Sequence, residues 1–313
     1  MKARPLLSRI IYLAVGALAM CISSRACAEW FPPSAWWSDN HRFALVPVPF
    51  GFPGTLTLKE RQAKGLVTRW SIPYADQGGK LAFAGALTAY ITDDGRYVVL
   101  RAWDDETGDD KALTFLGPKG KILSSYLAKN ILTIHEMLKA EVTPSLSWWR
   151  ESGWCFFRPG QLQFAFVAKT ATVHVFDLPT GRVVRLTATI QRAVRHEAVL
   201  LARKQLASPD YDERTAGAMM VGVLGDRDSI PTLKRLLNDP TVTGTRSTGR
   251  SPGYPFYDVQ AAAGAALARL LGKKAAPLLE GKLRGANPEM ARHWIGLLGE
   301  IGQKNPGHSR LNH

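Results

Sequence analysis

Two periodicities in one chain predict an α+β protein, with an antiparallel β-rich domain at 29–190 and a C-terminal α-solenoid of helical hairpins at 191–305. The first observation is a series of short runs rich in β-branched and aromatic residues between Arg42 and Thr189. The second is the helical spacing that replaces them near Gln191. The third is a pair of glycine matches, Gly217 with Gly264 and Gly225 with Gly272, both at an offset of 47 residues.

An export address precedes both domains. Lys2, Arg4 and Arg9 stand ahead of an uncharged, mostly apolar run from Ile10 to Ile22, and Ala26-Cys27-Ala28 supplies small side chains before Glu29. The run is shorter than the roughly 20 residues that cross a bilayer. A signal peptide at 1–28, cleaved after Ala28, therefore implies a periplasmic or secreted protein. The alternative, a lipoprotein anchor at Cys21, is disfavoured by the bulk of Met20. Cleavage leaves 36 basic against 26 acidic residues, a charge of +10, and of three cysteines only Cys155. One thiol excludes an internal disulfide and a cysteine-rich zinc fold, so stability rests on packing. With 46% hydrophobic residues, the chain has the material for that packing.

Within the β domain the expected strands are Leu56–Leu58, Leu66–Ile72, Leu87–Ile91, Tyr97–Trp103, Leu162–Ala168, Thr172–Phe176 and Val183–Thr189. Asp93-Asp94-Gly95-Arg96 is a hairpin signal, since Asp-Gly tolerates the positive φ of a tight reversal. Leu178-Pro179-Thr180-Gly181 marks a second turn. Leu127–Val142 carries Ile131, Leu132, Ile134, Met137 and Leu138, compatible with one apolar face, and predicts a helix. Eight of the nine tryptophans lie between Trp30 and Trp154, and such large flat side chains suit sheet faces or a small sandwich. The segments "DDGRYVVLRAW" and "TATVHVFDLPTGRVVRL" resemble β-propeller blades, although the domain is long enough for only about three blades.

In the helical part, "AGAMMVGVLGDRDSIPTLKRLL" (216–237) aligns with "AGAALARLLGKKAAPLLEGKL" (263–283), and "ARHWIGLLGEIG" (291–302) is a shorter third copy. Gly299 follows Gly272 by 27 residues, and removing the 18-residue insert at 240–257 reduces the offset of 47 to 29. A period of 27–30 residues fits a two-helix repeat. Gly225 and Gly272 predict left-handed helix stops, and Pro231 and Pro277 predict first turns of the following helices. Leu233, Leu236 and Leu237 form a stripe that one hairpin alone cannot bury. A helix at Arg195–Leu206 is the expected N-terminal cap, and 306–313 a tail. This pattern resembles the HEAT-like repeats, in particular the short type named after phycobilisome lyases. In that family a first helix ends in Leu-Gly and a second starts near Pro, so the resemblance implies a stacked array that presents an extended surface.

No motif names a reaction. Gly-x-Ser-x-Gly, phosphate-binding loop, dinucleotide fingerprint and paired-Cys patterns do not occur, so no cofactor is expected. His135-Glu136 has no second His at i+4 for a zinc-protease site, and His174, His196 and His293 lack ligand-spaced partners. Asp104, Asp105, Glu106, Asp109 and Asp110 form the densest acidic run, a weak Ca²⁺ candidate that departs from the EF-hand order and reads better as a solvated hairpin tip. Charge is uneven: residues 191–313 carry 18 basic against 11 acidic, while 29–190 are near balance. Arg203 and Lys204 on the first helix, Arg246 and Arg250 in the insert, and Tyr254, Phe256 and Tyr257 at its end are the candidate partner-binding residues. The expected function is a non-catalytic, exported module that holds another protein through the solenoid. The alternatives are binding of a glycan or cell-wall polymer through the Trp-rich β domain, including Trp30, Trp36 and Trp37, or an enzyme of unrecognised type. An anionic envelope component is a further possible partner. Export argues against nucleic acid.

Overall fold

The computed structural model describes residues 35–48, 54–74, 87–102, 111–133, 136, 153–246 and 254–303. Antiparallel sheets occupy the N-terminal half and helices the C-terminal part, an α+β mixture. Backbone packing divides the chain into two compact units, Met1–Glu151 with Leu178–Arg182, and Ser152–Asp177 with Val183–His313.

The first unit contains two four-stranded meanders. Strands β1 (Trp36–Trp37), β2 (Phe43–Val48), β3 (Gly54–Gln62) and β4 (Gly65–Tyr74) pair in chain order, with a register shift at Leu58/Lys59. Strands β5 (Leu87–Ile91), β6 (Val98–Ala102), β7 (Lys111–Leu116) and β8 (Ile122–Leu127) do the same. Leu45, Leu56 and Leu58 of one sheet share a core with Ile91, Val98 and Leu100 of the other. Alternation delivers every second side chain to that core. The Asp93–Arg96 turn joins β5 to β6 as its sequence predicts, with Gly95 at φ +67°. That glycine also makes room for Phe43: a Cβ there would stand 2.5 Å from the ring. Glu60, nearly inaccessible, receives Arg42 (Nε to Oε1 2.8 Å) and pairs with Arg69. Burial pushes the Glu60 carboxyl up, but these cations and Gln62 hold it below its ordinary value.

The second unit begins with a three-stranded antiparallel sheet in the order β11 (Val173–Asp177), β10 (Gln163–Ala168), β9 (Gly153–Phe157). Helices α1 (Ala188–Leu206), α2 (Tyr211–Leu224), α3 (Ile230–Leu236), α4 (Asp258–Leu271), α5 (Ala276–Leu283) and α6 (Pro288–Gln303) follow. Ala165, Val167, Val173 and Val175 of the sheet belong to one hydrophobic cluster with Val194, Ala198 and Ala202 of α1. Arg158, 3% exposed, clamps sheet to helix by donating from Nε and Nη2 to the two carboxylate oxygens of Glu197, at 2.8 and 2.9 Å. Helices α1, α2, α4 and α6 then approach one another closely through small residues. A Cβ on Gly217 of α2 would meet the Ala202 carbonyl of α1 at 2.7 Å, one on Gly222 would meet Ala266 of α4 at 2.8 Å, and one on Gly264 of α4 would meet the Trp294 ring of α6 at 2.3 Å.

Local signals explain the helix ends. Thr187 caps α1 by accepting from the Ile190 amide, and Asp210 caps α2 by accepting from Asp212 and Glu213. Gly225 ends α2 in the left-handed region, φ 77° and ψ 24°. Gly272 ends α4 with positive φ but ψ −132°, outside that region and open to glycine alone. Pro231 and Pro277 stand in the first turns of α3 and α5.

Three expected elements differ. The strand at Val183–Thr189 is reduced to a single bridge, Phe176 to Val183, because the Thr187 cap starts α1 at Ala188. In place of a helix from Leu127, β8 ends there and a 3₁₀ turn covers Ala128–Asn130. Thr133 and Glu136 exchange amide-to-side-chain bonds of 2.7 and 3.2 Å, a capping box, and the rest of the expected helix lies outside the described residues. The insert, read as a flexible loop with no helical pattern, contains strands β12 (Gly244–Arg246) and β13 (Tyr254–Phe256) paired antiparallel. Phe256 joins the helical core, which fixes the returning strand.

Candidate functional site

Cations recur at the ends of the second helices. Lys234 and Arg235 occupy the last turn of α3, and Lys282 that of α5, where the helix dipole favours positive charge. These turns, the loop at Arg284 to Asn287, the start of α6 and the hairpin residue Pro255 converge on a cleft of about 650 Å³. That size lies within the roughly 300–1,000 Å³ usual for ligand sites. Leu237, Met290 and Trp294, all at least 95% buried, supply apolar lining, with half-buried Tyr257 and Leu278 beside them.

Side-chain amides tie the walls together. Asn287 caps α6, its Oδ1 accepting from the Glu289 and Met290 amides at 3.1 and 3.0 Å, while its Nδ2 donates to the Pro255 carbonyl at 2.7 Å. Gln260 donates to the Asp239 carbonyl at 2.7 Å. Lys282 Nζ donates to Asn238 Oδ1 at 2.6 Å and so joins the C-terminal ends of α3 and α5. Burial holds the Lys282 ammonium below its ordinary pKa, because the charged form loses hydration there.

The cleft's electrostatics are one-sided. Lys234, Lys282 and Arg284 line it, and among the described residues no Asp or Glu does. The acid next to Asn238, Asp239, is taken up by Arg214 at 2.9 Å and by the Thr241 amide at 3.0 Å. Burial pushes its carboxyl up, and the hydrogen bonds from Thr241 and Arg214 outweigh this and leave it below the ordinary value. An anionic group with an apolar portion suits such walls. Among the described residues no group of three His, Cys, Asp or Glu is placed to hold a metal ion, and no helix is long and apolar enough to cross a membrane.

The residues singled out from sequence separate into three sets. Tyr257 lines the cleft; Tyr254 and Phe256 lie in the adjoining strand, with Phe256 buried edge-on to His293 at 6.4 Å. Arg203 and Lys204 lie on α1 and do not line it. Arg203 instead binds both oxygens of Asp226 (2.8 and 2.6 Å) and reaches Asp228 at 2.8 Å, beside a smaller hollow of about 250 Å³. Hydrogen bonds from Arg203 and Ser229 hold the Asp226 carboxyl below its ordinary value. Lys204 is exposed. Arg246 ends β12, whereas Arg250, Trp30 and the acidic run Asp104, Asp105, Glu106, Asp109 and Asp110 lie outside the described residues. Of the N-terminal aromatics, Trp36 is buried in the first unit's core, and Trp37 lies under the Arg61 guanidinium at 4.6 Å.

Lys234, Lys282, Arg284 and Trp294 were missed as a group. The available signal was the basic last turn shared by the second helices of the first two copies, Lys234 in α3 and Lys282 in α5. No protein-family model matches the chain, and no curated protein sequence matches it.

Proposed function

We propose that this is an exported, non-catalytic binding module in which α1 to α6 act as a short HEAT-like solenoid that holds another protein. The cleft over Trp294 carries this reading: it is large, open, apolar at its base and lined by hydrogen-bonded walls. The repeat offset of 47 and the neighbour-to-neighbour closeness at Gly217, Gly222 and Gly264 support the solenoid part. Lys2 to Ala28 support export. A surface of this sort gains specificity from contacts spread over several helices, without a reacting group.

The test places a photo-crosslinking amino acid, p-benzoylphenylalanine, singly at Lys234, at Gly285 and, as a control in the β unit, at Lys119. Irradiation of cells exporting each variant should give one discrete protein adduct from the first two positions and none from the third. No adduct from either cleft position, or the same adduct from Lys119, contradicts the reading.

A further inference from the structure

We infer that the segment held in this cleft is an acidic stretch of the partner, carrying carboxylates around an apolar side chain. The inference rests on the binding-module reading and gives its partner a chemistry. Lys282 is drawn half out of water, yet its hydrogen-bond acceptor is the neutral Asn238 amide. An ammonium has three donors, so two remain for an incoming group. Lys234 and Arg284 stand on the same rim, and no carboxylate of the cleft lining balances the three charges. The contrast with the rest of the unit is informative. Arg158, Arg203 and Arg214 each hold a carboxylate of this chain at 2.9 Å or less. In the cleft the cations are collected and the counter-charge is missing. Charge complementarity therefore selects an anion, while Leu237, Leu278 and Trp294 select an apolar group attached to it. The Asn238 Nδ2 group adds a donor suited to a backbone carbonyl of an extended peptide.

The probe is a fluorescein-labelled peptide, Glu-Glu-Leu-Glu-Phe-Glu-Glu, added to the mature full-length chain and followed by anisotropy. Saturable binding is expected, weakening with salt. Lys234→Glu and Lys282→Gln should each lower affinity about fivefold or more, and the pair together more than about twentyfold. Lys273→Glu, a charge reversal outside the cleft, should change it less than about twofold. Far-UV circular dichroism of each variant shows whether the fold is kept; Lys234 is exposed, so its reversal leaves the test intact if Lys282→Gln misfolds. The same peptide with Gln for every Glu should not bind. The inference is overturned if the acidic peptide does not bind, if the Gln peptide binds equally, or if Lys273→Glu weakens binding as much as Lys234→Glu. It is also overturned if phosphatidylglycerol vesicles bind through Lys234 and Lys282 while the peptide does not. Photo-adducts from Lys234 and Gly285 that persist under any of these outcomes would leave the binding module standing and remove only its acidic ligand.

Discussion

Each unit admits a large aromatic ring against a glycine, and the two glycines do different work. In the β unit, Gly95 lies under Phe43 and also turns the chain at φ +67°. In the helical unit, Gly264 lies under Trp294 within the ordinary helix α4. The first glycine is required by backbone conformation and by space, the second by space alone. The difference extends to the cores. Leu, Ile, Val and Phe fill the volume between the meanders, whereas Ala and Gly along α1, α2 and α4 bring helix backbones together. A sheet buries area with side-chain bulk, and a stack of short helices does so by removing it. It also differs in charge. The β unit surrounds Glu60 with Arg42 and Arg69, while the helical unit gathers three cations at a cleft lined by no acid among the described residues.

The largest test of this contrast is Gly95→Ala. Left-handed backbone costs an alanine about 1–2 kcal/mol, and crowding Phe43 adds about 1–3 kcal/mol, so urea unfolding should show a loss of about 3 kcal/mol. Adding Phe43→Leu should return only the crowding part. Complete recovery would mean that the turn does not need glycine.

A smaller effect appears on acidification. Glu60, Asp226 and Asp239 all titrate below their ordinary values of 4.5, 3.8 and 3.8 in the folded chain. The unfolded chain therefore binds protons first as pH falls. Stability from these groups is complete above the ordinary values and is lost as pH drops through the folded ones. Thermal midpoints measured from pH 6 to pH 3 should fall as pH drops below these ordinary values, and Glu60→Gln and Asp226→Asn should each make that fall shallower. Midpoints unchanged across this range would contradict the paired carboxylates.

Much of this fold is legible locally. Asp93-Asp94-Gly95 specifies its hairpin, and Pro231 and Pro277 stand where first turns accept them, whereas Thr187, read as the inside of a strand, caps α1. Packing partners are less legible. Residues 153–177 read as β, yet Val167 and Val175 are buried with Val194 and Ala198 of α1, so the packing boundary falls near 151 while the periodicity changes near 188. Hydrophobic alternation says which face is buried and is silent on what covers it. The insert misled for a similar reason. Its Gly, Ser and Pro content reads as loop, but Phe256 is anchored in the helical core and returns the chain as a strand. Of the cleft, Tyr257 and the excess of positive charge over 191–313 were legible, and its three cations were not. Arg203 looked like a surface cation because Asp226 and Asp228 are more than twenty positions away, and only the fold brings them to it.

The central proposal is that the helices form a stacked array, and the close approach of α4 and α6 at Gly264 and Trp294 tests it directly. Gly264→Ala gains about 1 kcal/mol of helix propensity, yet crowding a ring that is 1% exposed costs up to about 3 kcal/mol. Urea unfolding followed at 222 nm should show the protein destabilised by about 2 kcal/mol. In a Trp294→Leu background, where the ring is gone, the same substitution should change sign and stabilise by up to about 1 kcal/mol. An equal effect of Gly264→Ala in both backgrounds would mean that α4 and α6 do not meet at this pair, and the stacked arrangement would fail with it.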